Sequence, residues 1–153
     1  MTEYIFRGIR EDNGEFVIGG SVITLNTGGK VEYFMPCPQE KCSCVHDKDN
    51  DNILCIIGSF NKIKTGTVSL FTNFRDKNGN MVFGGDILRW RDPDEEEYSY
   101  FLVVLAHGRW QTWQNGDLRL NDDLDGGFLQ DAEVVGTIYK NADLLKKEMQ
   151  GEV

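Results

Sequence analysis

The sequence predicts a mostly-β protein that ends in one short helix. Two observations carry this expectation. Short apolar or alternating segments recur along the chain, each bounded by Gly, Asn-Gly or Asp-rich turn signals. One window alone, Ala142–Met149, pairs a helix start signal with an apolar stripe. Glycine occurs 17 times and proline 3 times, a balance that suits tight turns between strands rather than flexible linkers.

Tyr4–Arg10 alternates and runs into Asp12-Asn13-Gly14. Asn-Gly supplies the positive φ angles of a type I′ turn, so a hairpin follows. Glu15–Leu25 is its return strand, with Gly19-Gly20 a bulge or a close backbone approach. A second turn at Asn26–Gly29 leads into Lys30–Met35. Residues 36–52 hold two of the three prolines, three of the four cysteines and the polar run Asp47–Asn52, and read as a long loop excursion. Strand signal returns at Ile53–Ile57, Thr67–Thr72, Met81–Phe83 and Ile87–Trp90, with a turn at Asp76–Gly79 and Gly84-Gly85-Asp86 between the last two. After the acidic loop Asp92–Glu97, Tyr98–Ala106 is apolar on both faces, the pattern of a central, doubly covered strand. His107-Gly108 turns it into an antiparallel Arg109–Trp113. Asn115–Gln130 reads as loop and Glu133–Tyr139 as the last strand. Asn141 is placed to cap the free N–H groups of the final helix. Asp143 then lies near its positive end, and Lys146 and Lys147 toward its negative end.

A chain of 153 residues implies a single domain, 1–153, able to bury about two-thirds of its unfolded surface without a metal or disulfide. The net charge of −9 disfavours direct binding to nucleic acid, which needs a basic surface, and to an anionic membrane. Met1–Asp12 lacks the basic segment and apolar core of a secretory signal, and no apolar run is long enough to span a bilayer. These features predict a cytoplasmic protein whose four cysteines are reduced.

Three ordered stretches resemble the YopX-type family of phage and prophage proteins. The first is Phe6-Arg7-Gly8 followed by Asp12-Asn13-Gly14-Glu15-Phe16-Val17. The second is Thr67-Val68, Phe71-Thr72, Asp76-Lys77-Asn78-Gly79 and Gly85-Asp86-Ile87. The third is Val134-Val135-Gly136, Ile138-Tyr139, Asn141 and Leu144-Leu145. The chain departs from the family at Ser69 and Asn73, where Gly is usual, at Gly84, where Glu is usual, and at Ala142, where Pro is usual. Asn73 can still take a left-handed conformation. The resemblance implies a small SH3-like β-barrel with added hairpins and a source in phage or prophage DNA. It implies no catalytic residues. Independently of it, Asp86 after Gly84-Gly85 reads as a carboxylate that ties off turn amides.

Cys37, Cys42, Cys44 and His46, with Cys55 further on, form the strongest chemical cluster. In an extended segment Cys42, Cys44 and His46 would share one face and could join a tetrahedral zinc site. Their spacing is not that of paired C-x₂₋₄-C units, so reduced, metal-free thiols are expected. A Cys–His nucleophile is disfavoured by the acidic neighbours Glu40 and Asp47. Asp47, Asp49 and Asp51 lack the Gly and bidentate Glu of a calcium loop. Asp122, Asp123 and Asp125 read as a solvated loop, and His107 has no second histidine near it. Trp90, Trp110 and Trp113 could stack bases, but the negative charge favours core packing. Arg109, Trp110 and Trp113 form the candidate interaction surface, since Trp and Arg are enriched in binding hot spots.

The leading functional expectation is a non-catalytic, cofactor-free module that binds a host or phage protein, or a second copy through a strand edge. A second is an acidic decoy that occupies a host protein's nucleic-acid site. It requires the carboxylates of 47–51, 92–97 and 122–125 to converge. A third, from the enzyme class, is a metal-dependent hydrolase built on those carboxylates.

Overall fold

The computed structural model describes residues 4–36, 60–114 and 122–145. The protein is mostly β, with 54% strand and 6% helix, and one of its sheets is a half-barrel. The chain divides into two compact units, Tyr4–Ser69 and a second from Leu70 onward.

The N-terminal unit contains β1 (Phe6–Ile9), β2 (Phe16–Gly19), β3 (Ile23–Thr27), β4 (Lys30–Pro36) and β5 (Phe60–Ile63). The β1–β2 hairpin forms as expected, with Ile9 opposite Phe16. Its turn is not type I′. Gly14 has φ 72 while Asn13 stays out of the left-handed region. The Asn13 side chain instead accepts from the Glu15 N–H at 2.9 Å, and the Gly14 N–H bonds the Arg10 carbonyl across a longer loop. The type I′ turn lies at Gly28-Gly29, with φ 60 and 86, where Thr27 and Lys30 pair across a two-residue loop. Glu15–Leu25 is two strands rather than one. The chain leaves the β1 ladder after Gly19 and re-enters a different one at Ile23, where β3 pairs with β4.

β5 carries Asn61 and Lys62 and gives little apolar signal, yet Ile63 is buried and pairs with Tyr33. The expected strand Ile53–Ile57 and most of the 36–52 excursion lie outside the described residues. Val17, Met35 and Ile63 form the core, with Phe6, Val22, Tyr33 and Val68 packed on it. Gly8 is required there, because a Cβ would fall 2.6 Å from Ile63 Cγ2.

The C-terminal unit contains β6 (Ser69–Arg75), β7 (Met81–Phe83), β8 (Asp86–Trp90), β9 (Ser99–Ala106), β10 (Arg109–Gln114), β11 (Asp122–Asp123), α1 (Gly126–Leu129) and β12 (Glu133–Thr137). Five of them form one antiparallel sheet in the order β11-β10-β9-β8-β12. β9 is the middle strand, as its sequence predicts. It is not covered along its length, however, since Leu105 is 58% exposed near the hairpin tip while Val103 is buried. His107-Gly108 makes that tip with φ 53 and 75, the type I′ pattern. Asn73 takes φ 66 where the β6–β7 register shifts, so it fills a left-handed position suited to Gly.

Part of the expected loop 115–130 is ordered structure. Asp125 accepts the Phe128 N–H at 2.8 Å and caps the one-turn α1. Leu124, Leu129 and Ala132 enter the core with Val82, Leu88 and Val103. The Gly126-Gly127 pair hides this turn from propensity, and the cap plus two apolar anchors produce it. Of the expected helix Ala142–Met149, Asp143–Leu145 is helical, Ala142 is in a turn, and residues 146–149 lie outside the described residues. The Asn141 side chain reaches back rather than forward, accepting from the Thr137 N–H at 3.1 Å.

Candidate interaction surface

Strand alternation drives Val17 inward on β2 and turns Phe16 and Ile18 outward. The buried Arg7 guanidinium lies 4.7 Å from the Phe16 ring centroid and supports that ring from below. β3 is exposed at all five positions and displays Ile23 and Leu25 on one face, while Val31 lies on the other face of the β3–β4 hairpin. Eight large apolar side chains are exposed among the described residues. Six belong to the N-terminal unit: Tyr4, Phe16, Ile18, Ile23, Leu25 and Val31. Apolar exposure is therefore heavier in the N-terminal unit, where it is carried by β2 and by both faces of the β3–β4 hairpin.

The charges beside this surface are paired with one another. Lys62 lies 3.3 Å from Glu32 and 3.5 Å from Glu11, and Lys30 lies 3.5 Å from Glu32. The Lys62 ammonium holds the Glu32 carboxyl below its ordinary value, and Glu32 in turn raises Lys62. From Gly19 to Gly29 there is no charged residue at all.

In the C-terminal unit the well-connected carboxylates hold the fold together. Asp76 accepts from the backbone N–H groups of Asn78, Asn80 and Val134, each at 2.9 Å, and from the Asn80 amide at 3.3 Å. It thereby ties the 76–80 turn to β12. Burial pushes its carboxyl up, but those donors outweigh the burial and leave it below 3.8. Asp86 is fully buried and accepts the Phe83 N–H at 2.8 Å, the turn-tying role expected of it. The Arg89 guanidinium bonds Glu133 through Nε at 2.9 Å and through Nη2, which depresses the Glu133 carboxyl. Arg89 also lies 4.4 Å from the Tyr98 ring centroid.

The sequence-predicted site residues are placed as follows. Cys37, Cys42, Cys44, His46 and Cys55 lie outside the described residues, as do Asp47, Asp49 and Asp51. Among the described residues no group of three potential ligands comes together. Asp122 and Asp123 belong to β11, Asp123 bonds Arg109 at 3.1 Å, and Asp125 caps α1. The Trp110 ring packs on the core cluster and covers Gly84, where a Cβ would fall 2.9 Å from it. Trp90 packs on the same cluster. Arg109 is exposed, and Trp113 is half-buried with its indole N–H shielded and without an acceptor among the described residues. The outward set on β2 and β3 is not evident from the sequence, because Glu15–Leu25 reads there as a single return strand of the first hairpin. The signal that could have revealed it is the charge-free run 19–29.

These features define a mostly-β protein with a half-barrel sheet and an N-terminal unit whose edge strands expose apolar side chains. The chain belongs to the YopX protein family, whose profile matches residues 6–146. The crystal structure of protein EF1440 from Enterococcus faecalis is similar in fold. It has a TM-score of 0.50 and 19% identity, over 95% of this chain and 99% of that one. No curated protein matches the chain. No helix among the described residues is long and apolar enough to cross a membrane.

Proposed function

We propose that this YopX-family chain is a phage- or prophage-encoded accessory protein of the cytoplasm that binds another protein and performs no chemistry of its own. Its half-barrel sheet would belong to an SH3-like barrel that serves as scaffold. The observation that carries the reading is the concentration of exposed apolar side chains on the outer strands of the N-terminal unit, Phe16 and Ile18 on β2 and Ile23 and Leu25 on β3. Arg109–Trp113 is the weaker contact candidate, because Trp110 is seated on the core and Arg109 is bonded to Asp123. Of the carboxylates that would serve a hydrolase or a decoy, those of 47–51 lie outside the described residues, while Asp123 bonds Arg109 and Asp125 caps α1.

The test is affinity capture from host lysate with quantitative mass spectrometry, comparing the chain with an Ile18→Lys/Leu25→Lys variant. A defined set of proteins held by the first and lost by the second, with circular dichroism unchanged, supports the surface. An identical set held by both removes it. Turnover of a defined substrate, abolished by one carboxylate or cysteine substitution in a folded protein, removes the non-catalytic reading.

A further inference from the structure

We infer that β3 is a self-pairing edge, and that a second copy of this chain docks on it antiparallel about a two-fold axis through Leu25. The inference rests on the protein-binding reading above and names one partner for it. Among the described residues β4 is the one ladder partner of β3, so its other side presents unpaired backbone groups. Natural edge strands are usually blunted by Lys, Pro or a bulge. β3 has none of these, and it lies inside the charge-free run Gly19–Gly29.

Charge selects this edge over the others for pairing between copies. Two chains of net charge −9 repel, which favours contact where neither presents charge. β11 consists of Asp122 and Asp123, β12 carries Glu133, and β2 adjoins Glu15. β5 carries Lys62, and its Ile63 is already bridged by Arg10. β7 is three residues long with Val82 and Phe83 buried. β3 remains.

Its register is self-complementary. Thr27 and Lys30 flank the two-residue turn and so form a hydrogen-bonded pair, as Leu25 does two residues further along. The N–H and C=O groups of Thr24 and Asn26 therefore point away from β4. A two-fold axis at Leu25 sets Thr24 against the partner's Asn26, which satisfies those groups reciprocally. It sets Leu25 against its own copy in the close, non-hydrogen-bonded pair, and Ile23 against the partner's Thr27. The nearest carboxylates, the two Glu32 side chains, would stand three strand spacings apart, roughly 14 Å, which exceeds the screening length. Each is already paired with Lys30 and Lys62.

Sedimentation equilibrium of the purified chain up to about 1 mM tests this. The expected result is concentration-dependent doubling of mass, lost in both Leu25→Lys and Leu25→Glu, and restored when those two variants are mixed, because position 25 faces itself. Ile18→Lys, on β2, should still double. A chain that stays monomeric throughout, a dimer that survives Leu25→Lys, or a mixture that stays monomeric overturns the pairing. Monomeric behaviour together with Leu25-dependent capture of a different protein would remove the self-pairing and leave the protein-binding reading standing.

Discussion

Replacing Asp76 with Ala should unfasten the 76–80 turn from β12. The carboxylate receives three backbone N–H groups and one side-chain amide, and the residue is 6% exposed. A hydrogen bond to a charged group contributes roughly 1.5–3 kcal/mol, and an orphaned buried donor costs about as much again. The Asn78 and Asn80 donors sit in a surface turn where water can replace the carboxylate, so most of the loss falls on the Val134 N–H. The expected total is about 3 kcal/mol, or a fall in Tm of roughly 6–12 °C for a chain of this size. All three tryptophans lie beyond residue 70, so urea unfolding followed by Trp emission reads the C-terminal unit directly. A loss under about 1 kcal/mol would show that the turn does not depend on this carboxylate, and would refute the reasoning.

Acid should expose the same contact. Asp76 and Glu133 both sit below their ordinary carboxyl values in the fold, so each holds its proton less tightly folded than unfolded. Their contribution is complete above the ordinary values of 3.8 and 4.5 and is lost as pH falls through the depressed ones. Asp76→Ala should therefore flatten the acid limb of a stability–pH curve measured by urea midpoint, and an unaltered limb would contradict the assignment. Gly136→Ala should cost about 1–3 kcal/mol, since its Cβ would meet Asn141 Cγ and Oδ1 at 2.6 Å. In an Asn141→Gly background, which also removes the Asn141 Cβ at 2.7 Å, the cost should shrink, and a double-mutant cycle that gives strict additivity would deny the contact. Trp110→Ala should cost about 3 kcal/mol by circular dichroism melts. Arg109→Ala should stay within about 0.5 kcal/mol because its pair with Asp123 is exposed on both sides.

The fold was readable where turn chemistry and apolar runs agree. Asp76–Gly79, His107-Gly108, the middle position of β9 and the buried Asp86 all follow from local residue types. β5 was not readable, because Asn61 and Lys62 dilute its signal and its pairing with β4 is what makes Phe60–Ile63 a strand. α1 was hidden by Gly126-Gly127, and the turn after Arg10 by an Asn13 that bonds the Glu15 N–H instead of taking a positive φ. The outer surface was illegible for a related reason. Alternation shows which side chains oppose the core, but only the strand order shows that, among the described residues, β3 is an edge strand carrying the exposed Ile23 and Leu25.

Contact between the N-terminal outer strands and another protein chain is the property that a binding module must show. Photo-crosslinking in the host cell, with a benzophenone side chain placed at Leu25 or, as control, at the more exposed apolar Leu105 of the other unit, measures this most directly. The prediction is a discrete adduct from position 25, with a second copy or another protein, and none from position 105. Adducts from position 105 alone, or none from either position, would contradict it.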